Sequence, residues 1–328
     1  MLTGSLLLAT LVLAVGLALL VVGSDQLVDG AALVSRRLGV SPVVVGVVVI
    51  GFGTSTPELL VTLLAAFEGV FDLGVGNIVG SNIANVLLVV GVAATVGPVV
   101  VARSTVRREV PLSLLGVLAF AWAIQGELRR TDALLLAGLL VAVIALLLTL
   151  SRRDTERDTL AVAAMDDVAD ADAGPGSEVR LGRESLRAAL GLAGTLAGAQ
   201  AVVVSGSAIA VAAGLSEALI GLTLVAVGTS LPELAAAVQA VRRRESDLLV
   251  GNVLGSNLFN ALAVGPVVVW TGASLDRLVS PELSGSATLL MLAAVVGVSL
   301  MLARRRIGRV GGVVLVVAYV VAVGVMAR

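Results

Sequence analysis

Gly53-Thr54-Ser55-Thr56-Pro57-Glu58-Leu59 returns 175 residues later as Gly228-Thr229-Ser230-Leu231-Pro232-Glu233-Leu234. A second stretch repeats at the same offset. DLGVGNIVGSNIAN, from Asp72 to Asn85, becomes DLLVGNVLGSNLFN, from Asp247 to Asn260. The same register pairs Gly39 with Gly214 and Ser41 with Ser216, without a gap. Chance does not produce an offset this long and this regular, so the chain carries an internal duplication.

Both copies are embedded in apolar sequence. Of 328 residues, 58% are hydrophobic and only 14% charged, too few charges to cover a soluble domain of this size. Runs such as Leu6 to Val22 and Ala133 to Leu150 approach the roughly 20 residues a helix needs to cross a bilayer. An all-α integral membrane protein is expected. The N-terminal run lacks the basic flank and small-residue site of a cleaved leader and reads as the first span. Charged or turn-rich breaks divide the chain into ten transmembrane helices, roughly 4–33, 42–67, 73–97, 109–126, 132–150, 187–213, 217–241, 248–272, 286–303 and 310–327. A hydrophilic stretch separates two sets of five. The units are therefore 1–150 with motif 53–85, a loop at 151–186, and 187–328 with motif 228–260. An odd number of spans per unit forces the second to enter the membrane from the opposite side. Two inverted five-helix repeats place a binding site near the midplane, where the copies meet, and imply alternating access.

Arginine assigns the sides. Loops following the first, third, fifth, seventh and ninth spans carry 18 of the 22 Arg, and the opposite side holds Arg129, Arg130, Arg277 and Arg328. The positive-inside rule makes the Arg-rich loops, including the central one, cytoplasmic and puts both termini outside a cell membrane. The chain has no Cys and no His. That excludes disulfides, thiolate or imidazole metal ligands, and a Ser–His hydrolase. A Glu-based hydrolase would need a tuned acid/base pair, and no enzyme activity is expected.

Pro57 lacks an N–H and its ring crowds the carbonyl of Gly53, so the second span must kink or open there. The carbonyls of Gly53 and Thr54 are then expected to lack helical partners, beside the Ser55 hydroxyl and the Glu58 carboxylate. Irregular backbone at this depth is tolerated only inside protein or against a wet cavity. The seventh span repeats the set with Gly228, Thr229, Ser230, Pro232 and Glu233. The third and eighth spans add Asn77, Ser81, Asn82 and Asn85, and Asn252, Ser256, Asn257 and Asn260. Ser81 and Asn85 share one helix face, as do Ser256 and Asn260. Every donor is an oxygen. Carboxylates, carbonyls, hydroxyls and amides suit Ca²⁺ or Na⁺, whereas zinc and copper favour ligands this chain lacks. Two ionised glutamates give a charge of −2, which one Ca²⁺ or two Na⁺ neutralise. An empty −2 site would resist crossing the low-dielectric interior, which favours exchange over leak.

With these motifs laid out, the chain resembles the sodium/calcium exchanger family of Ca²⁺:cation antiporters, over nearly the whole membrane region. The resemblance implies a ten-helix fold whose first and sixth helices slide across a core made of the second, third, seventh and eighth. It also implies Na⁺/Ca²⁺ antiport with no resident cofactor, Ca²⁺ and Na⁺ being the transported ions. Glu58 and Glu233 would be the central Ca²⁺ carboxylates, helped by the carbonyls of Thr54 and Thr229. Ser55, Ser81, Ser230 and Ser256 would line flanking Na⁺ sites, with Asn85 and Asn260 nearby. Potassium-dependent relatives place Asp where this chain has Asn260, which argues against K⁺ cotransport. An H⁺/Ca²⁺ or a K⁺-dependent Na⁺/Ca²⁺ antiporter on the same scaffold is the alternative, and a cation channel the more distant one. The partners expected are these ions and lipid, with no nucleic acid and a monomer as the working unit.

Other features have plainer readings. Gly76-x-x-x-Gly80 and Gly251-x-x-x-Gly255 read as helix contacts. Asp72 and Asp247 read as helix caps. Asp25 reads as structural. The central stretch, with nine acids and six Arg between Ser151 and Arg187, reads as an unstructured tether without a Ca²⁺-binding loop.

Overall fold

The computed structural model describes residues 2–165, 181–213, 226–276 and 278–326. Gly214, Ser216, Arg277, Arg328, the first part of the expected span 217–241 and the middle of the central stretch lie outside the described residues. The elements are α1 (Leu2–Leu38), α2 (Pro42–Thr54), α3 (Thr56–Phe67), α4 (Phe71–Val96), α5 (Arg103–Arg107), α6 (Glu109–Ala123), α7 (Arg130–Met165), α8 (Leu181–Ala212), α9 (Ala226–Thr229), α10 (Leu231–Arg242), α11 (Ser246–Ser274), α12 (Leu283–Ala303) and α13 (Arg309–Met326). Two short strands, β1 (Val99–Val100) and β2 (Arg306–Ile307), pair antiparallel and tie the loop after α4 to the loop after α12. Among the described residues seven helices are long and apolar enough to cross a membrane, and the bent pair α2–α3 makes up to eight. The expected fourth span is a helix of 15 residues, shorter than read.

Helices divide into an inner and an outer set. In their most apolar windows, 78% of α4 and 72% of α11 is buried inside the protein, against 17% of α1 and of α13. The outer helices expose Leu and Val where a soluble protein would carry charge.

Local chemistry explains the breaks. α1 ends at Gly39, whose φ of +62° is a left-handed stop. There the Val40 N–H reaches back to the Ser35 carbonyl at 3.1 Å. Pro42 opens α2. The axis then bends 44° between α2 and α3, at Ser55, because Pro57 cannot continue the ladder. The two described ends of the central stretch depart from the tether reading. They are helical, to Met165 and again from Leu181. A helix already formed propagates without a new nucleation step, and Arg, Glu and Ala are good helix formers.

Glycine sets the closest contacts. A Cβ on Gly23 would stand 2.5 Å from the Thr195 nitrogen, and one on Gly198 would stand 2.4 Å from the Leu20 nitrogen. Moving forward along α1, from Gly16 to Gly23 to Gly30, the neighbours run backward along α8, from Gly198 to Gly191 to Ala188. The two helices are therefore antiparallel. Gly16 and Gly23 correspond, by the internal offset, to Gly191 and Gly198.

Candidate functional site

The site is built from two breaks that copy one another. Ser55 and Ser230 carry nearly the same backbone, φ −81° and ψ 12° against φ −89° and ψ 4°. Each precedes a helix with proline in its first turn and a glutamate one residue on. Glu58 and Glu233 are both fully buried, on α3 and α10. A bond to Glu233 from Ser55, three residues before Glu58, brings the two motifs together. Thr54 and Ser55 are fully buried, Ser230 nearly so, and Thr229 is half-buried.

Cross-bonds join the halves. The Ser55 hydroxyl donates to Glu233 Oε1 at 2.9 Å. Ser256, on α11, lies 3.5 Å from the same oxygen and 3.2 Å from the Gly51 carbonyl. Thr54 Oγ1 stands 3.2 Å from Asn252 Oδ1. Asn85 Nδ2 donates to Asn257 Oδ1 at 3.1 Å. The glutamates are not equivalent, however. Among the described residues neither oxygen of Glu58 accepts a hydrogen bond from another side chain, and Glu233 Oε2 accepts none. Both amide atoms of the fully buried Asn260 and the Oδ1 of Asn85 likewise lack partners. Buried oxygens without donors are expensive in a protein interior and are the atoms a dehydrated cation would satisfy. Among the described residues no three His, Cys, Asp or Glu cluster so as to hold a metal ion, at this site or at any other.

Of the ten residues expected at the site, Ser55 and Ser256 meet Glu233 directly. Ser81 is buried on α4, which packs against α9, one helical turn before Asn85. One expectation is corrected. The Gly53 carbonyl is not left open, because the Thr56 hydroxyl donates to it at 2.7 Å. A hydroxyl one turn on replaces the N–H that Pro57 lacks. In the second copy residue 231 is Leu, so this substitution belongs to the first copy only.

Asn77 and Asn252, expected as oxygen donors, use their amide N–H groups instead, and a second feature has no counterpart in the expectations. Asn77 Nδ2 donates to the Glu58 carbonyl at 3.0 Å, and Asn252 Nδ2 to the Glu233 carbonyl at 3.2 Å. Each asparagine thus pins the backbone of its glutamate to the next helix. Their equal place in the duplicated motif was the available signal. The second feature is a set of widened π-turns at Gly46–Gly51, Asn85–Val89 and Asn260–Val264. The last two occur at equivalent positions and begin on the two site asparagines. Such turns recur at functional sites, and nothing in the residue pattern announces them. Asp72 and Asp247 correct the cap reading. Each sits in the first turn of its helix, Asp72 lying 3.3 Å from the Ser280 nitrogen and Asp247 accepting from the Ala102 backbone.

An all-helical membrane protein with oxygen donors from two like halves gathered around two buried carboxylates has the build of an ion carrier. The chain belongs to the sodium/calcium exchanger protein family, whose model matches residues 8–149 and 186–327. It is 36% identical over 323 residues to the putative antiporter CaxA of Alkalimonas amylolytica, covering 96% of this chain and 97% of that one. It is 31% identical to the sodium/calcium exchanger MaX1 of Methanosarcina acetivorans, across 77% and 80% of the two chains. A solved structure of the sodium-calcium exchanger NCX_Mj, soaked with Na⁺ and Sr²⁺, superposes with a TM-score of 0.80 at 26% identity, over 97% of this chain and 98% of that one.

Proposed function

We propose that this chain is a secondary antiporter that exchanges Na⁺ for Ca²⁺ by alternating access at the Glu58–Glu233 site. The observation that carries the reading is the buried carboxylate pair, one from each motif, with unpartnered oxygens on both. Glu58 and Glu233 take the divalent ion, with the Thr54 and Thr229 carbonyls. Ser55, Ser81, Ser230, Ser256, Asn85 and Asn260 supply neutral oxygens for Na⁺. The antiparallel α1 and α8 support ten helices arranged as inverted halves, 1–150 and 187–328, joined by 151–186. The Arg-rich loops then face the cytoplasm of a cell-membrane protein with both termini outside, working as a monomer.

The deciding experiment is Ca²⁺ uptake by reconstituted proteoliposomes. An outward Na⁺ gradient is expected to drive uptake in the absence of a pH or K⁺ gradient. Uptake driven only by a pH gradient would replace Na⁺ with H⁺, and Ca²⁺ flux with no counter-ion gradient would make the protein a channel.

Asn260 sharpens the ion assignment. Its amide is buried with both polar atoms unpartnered, so a carboxylate there would bring a third negative charge to the site. Asn260→Asp is expected to add a dependence of exchange on pH or K⁺ that the parent lacks. An unchanged profile against both would remove Asn260 from the ion site.

A further inference from the structure

Outside the site, the described residues hold one concentrated ion-pair network, and it links the α1–α8 pair to the end of α10. The Arg243 guanidinium, just past α10, forks onto both oxygens of Asp25 at 2.7 Å each and reaches Asp29 Oδ1 at 2.9 Å. The other oxygen of Asp29 accepts from Arg187 of α8 at 2.8 Å, and Arg187 also donates to Gln26 at 2.7 Å. Arg36 pairs with Glu245, a second tie between α1 and the same turn. The Asp25 and Asp29 side chains are only 27% and 18% exposed, so these pairs are screened less than surface ones.

The network joins parts that bear on the site. α8 lies over both motif kinks: a Cβ on Gly53 would meet Leu192 at 2.6 Å, and one on Gly228 would meet Val203 at 2.2 Å. Interlocked glycines hold α1 to α8, so the pair behaves as one cover. Arg243 ends the helix that carries Glu233, ten residues away, or about 15 Å of helix.

The duplication makes the network informative. At the internal offset, Asp25, Asp29 and Arg243 correspond to Gln200, Val204 and Glu68, and Arg187 corresponds to Val12. Those four residues include a single charge, so the fold repeats on the opposite face without the ion pairs. An orientation signal requires only basic residues in the loop; it does not require a fork shared between two aspartates of another helix.

We infer that Arg243, Asp25 and Asp29 form a one-sided bolt that fastens the α1–α8 cover to α10 on the Arg-rich face and weights the carrier toward the conformation described above. The inference rests on the alternating-access reading. Breaking the bolt lets the cover part from α10 on that face more often.

The chain has no Cys, so one introduced thiol reports without background. Gln239 is buried on α10, one turn before Arg243, and its amide points at the Val21 carbonyl of α1. In nanodiscs, a Gln239→Cys reporter is expected to react with a membrane-impermeant maleimide about tenfold faster when Arg243→Gln is added. The pair Asp25→Asn with Asp29→Asn should accelerate it equally, and Arg243→Lys should keep most of the protection. Rates within twofold of the parent for both neutralised forms would overturn the bolt, and so would a Lys variant as fast as the Gln variant. Loss of Na⁺-driven Ca²⁺ uptake in the parent would instead sink the exchange reading, because the labelling comparison needs no transported ion.

Discussion

Glu58→Gln is expected to lower Na⁺-driven Ca²⁺ uptake at least a hundredfold while the protein remains folded. The two halves of that statement have separate causes. At an effective dielectric of 20, a divalent ion and a carboxylate 4 Å apart attract by about 8 kcal/mol, twice the value for two unit charges. Part of this is returned when the ion is hydrated instead, but a residual of about 3 kcal/mol already exceeds a hundredfold in affinity. Folding should survive because Glu58 has no side-chain hydrogen bond to lose: both its oxygens are without protein partners among the described residues. Glutamine keeps the shape and removes one of two buried like charges, so the melting temperature measured without Ca²⁺ should not fall. Glu233→Gln should silence exchange as well, and its remaining carbonyl can still accept from Ser55. Retention of more than half the parental uptake in a well-folded Glu58→Gln protein would remove this carboxylate from the mechanism.

The second large effect lies in packing. Gly255→Val is expected to abolish the monodisperse folded protein, whereas Gly297→Ala on the exposed face of α12 should be tolerated. A Cβ at Gly255 would stand 2.5 Å from the Val47 Cα and 2.6 Å from its carbonyl oxygen, both backbone atoms that no rotamer change can move. Gly251 meets the Val43 carbonyl at 2.3 Å in the same way. Overpacking a tight interior costs about 1–3 kcal/mol when side chains can yield, and more when backbone must. Separating α2 from α11 would also strain the bonds from Ser256 to the Gly51 carbonyl and from Thr54 to Asn252. Nothing lies within 4 Å of a Cβ at Gly297 among the described residues, and alanine there gains helix propensity. Size-exclusion profiles of the two variants, expressed side by side, check the pair. A folded, active Gly255→Val protein would contradict the close α2–α11 crossing.

Much of this protein was legible as residues in order. Composition and run length required a membrane helix bundle, because hydrocarbon leaves the backbone no partner but its own ladder. The 175-residue offset exposed the duplication, and proline before glutamate in each copy marked where the ladder must break beside a charge. These are local or repetitive properties, carried by spacing alone. The spacing of Gly251 and Gly255 likewise foretold a close helix contact, though not its partner. The same reading fails at Gly76 and Gly80, where a Cβ would meet Leu283 at 3.7 Å at the first and, among the described residues, nothing within 4 Å at the second.

What required the tertiary structure concerns neighbours distant in sequence. Nothing near Thr56 says that its hydroxyl takes the carbonyl Pro57 strands, and nothing near Asn252 says that it bridges Glu233 to Thr54. Asp25 looked merely structural until Arg243, 218 residues away, was seen to fork onto it. The duplicated motif also suggested two equivalent glutamates, yet Ser55 and Ser256 both turn to Glu233, while among the described residues neither oxygen of Glu58 has a partner. A hydrogen bond acts over about 3 Å and a partly buried charge over a few times that, so such choices depend on how helices cross. A crossing is settled by side-chain volume across the whole interface, which no single stretch of sequence contains.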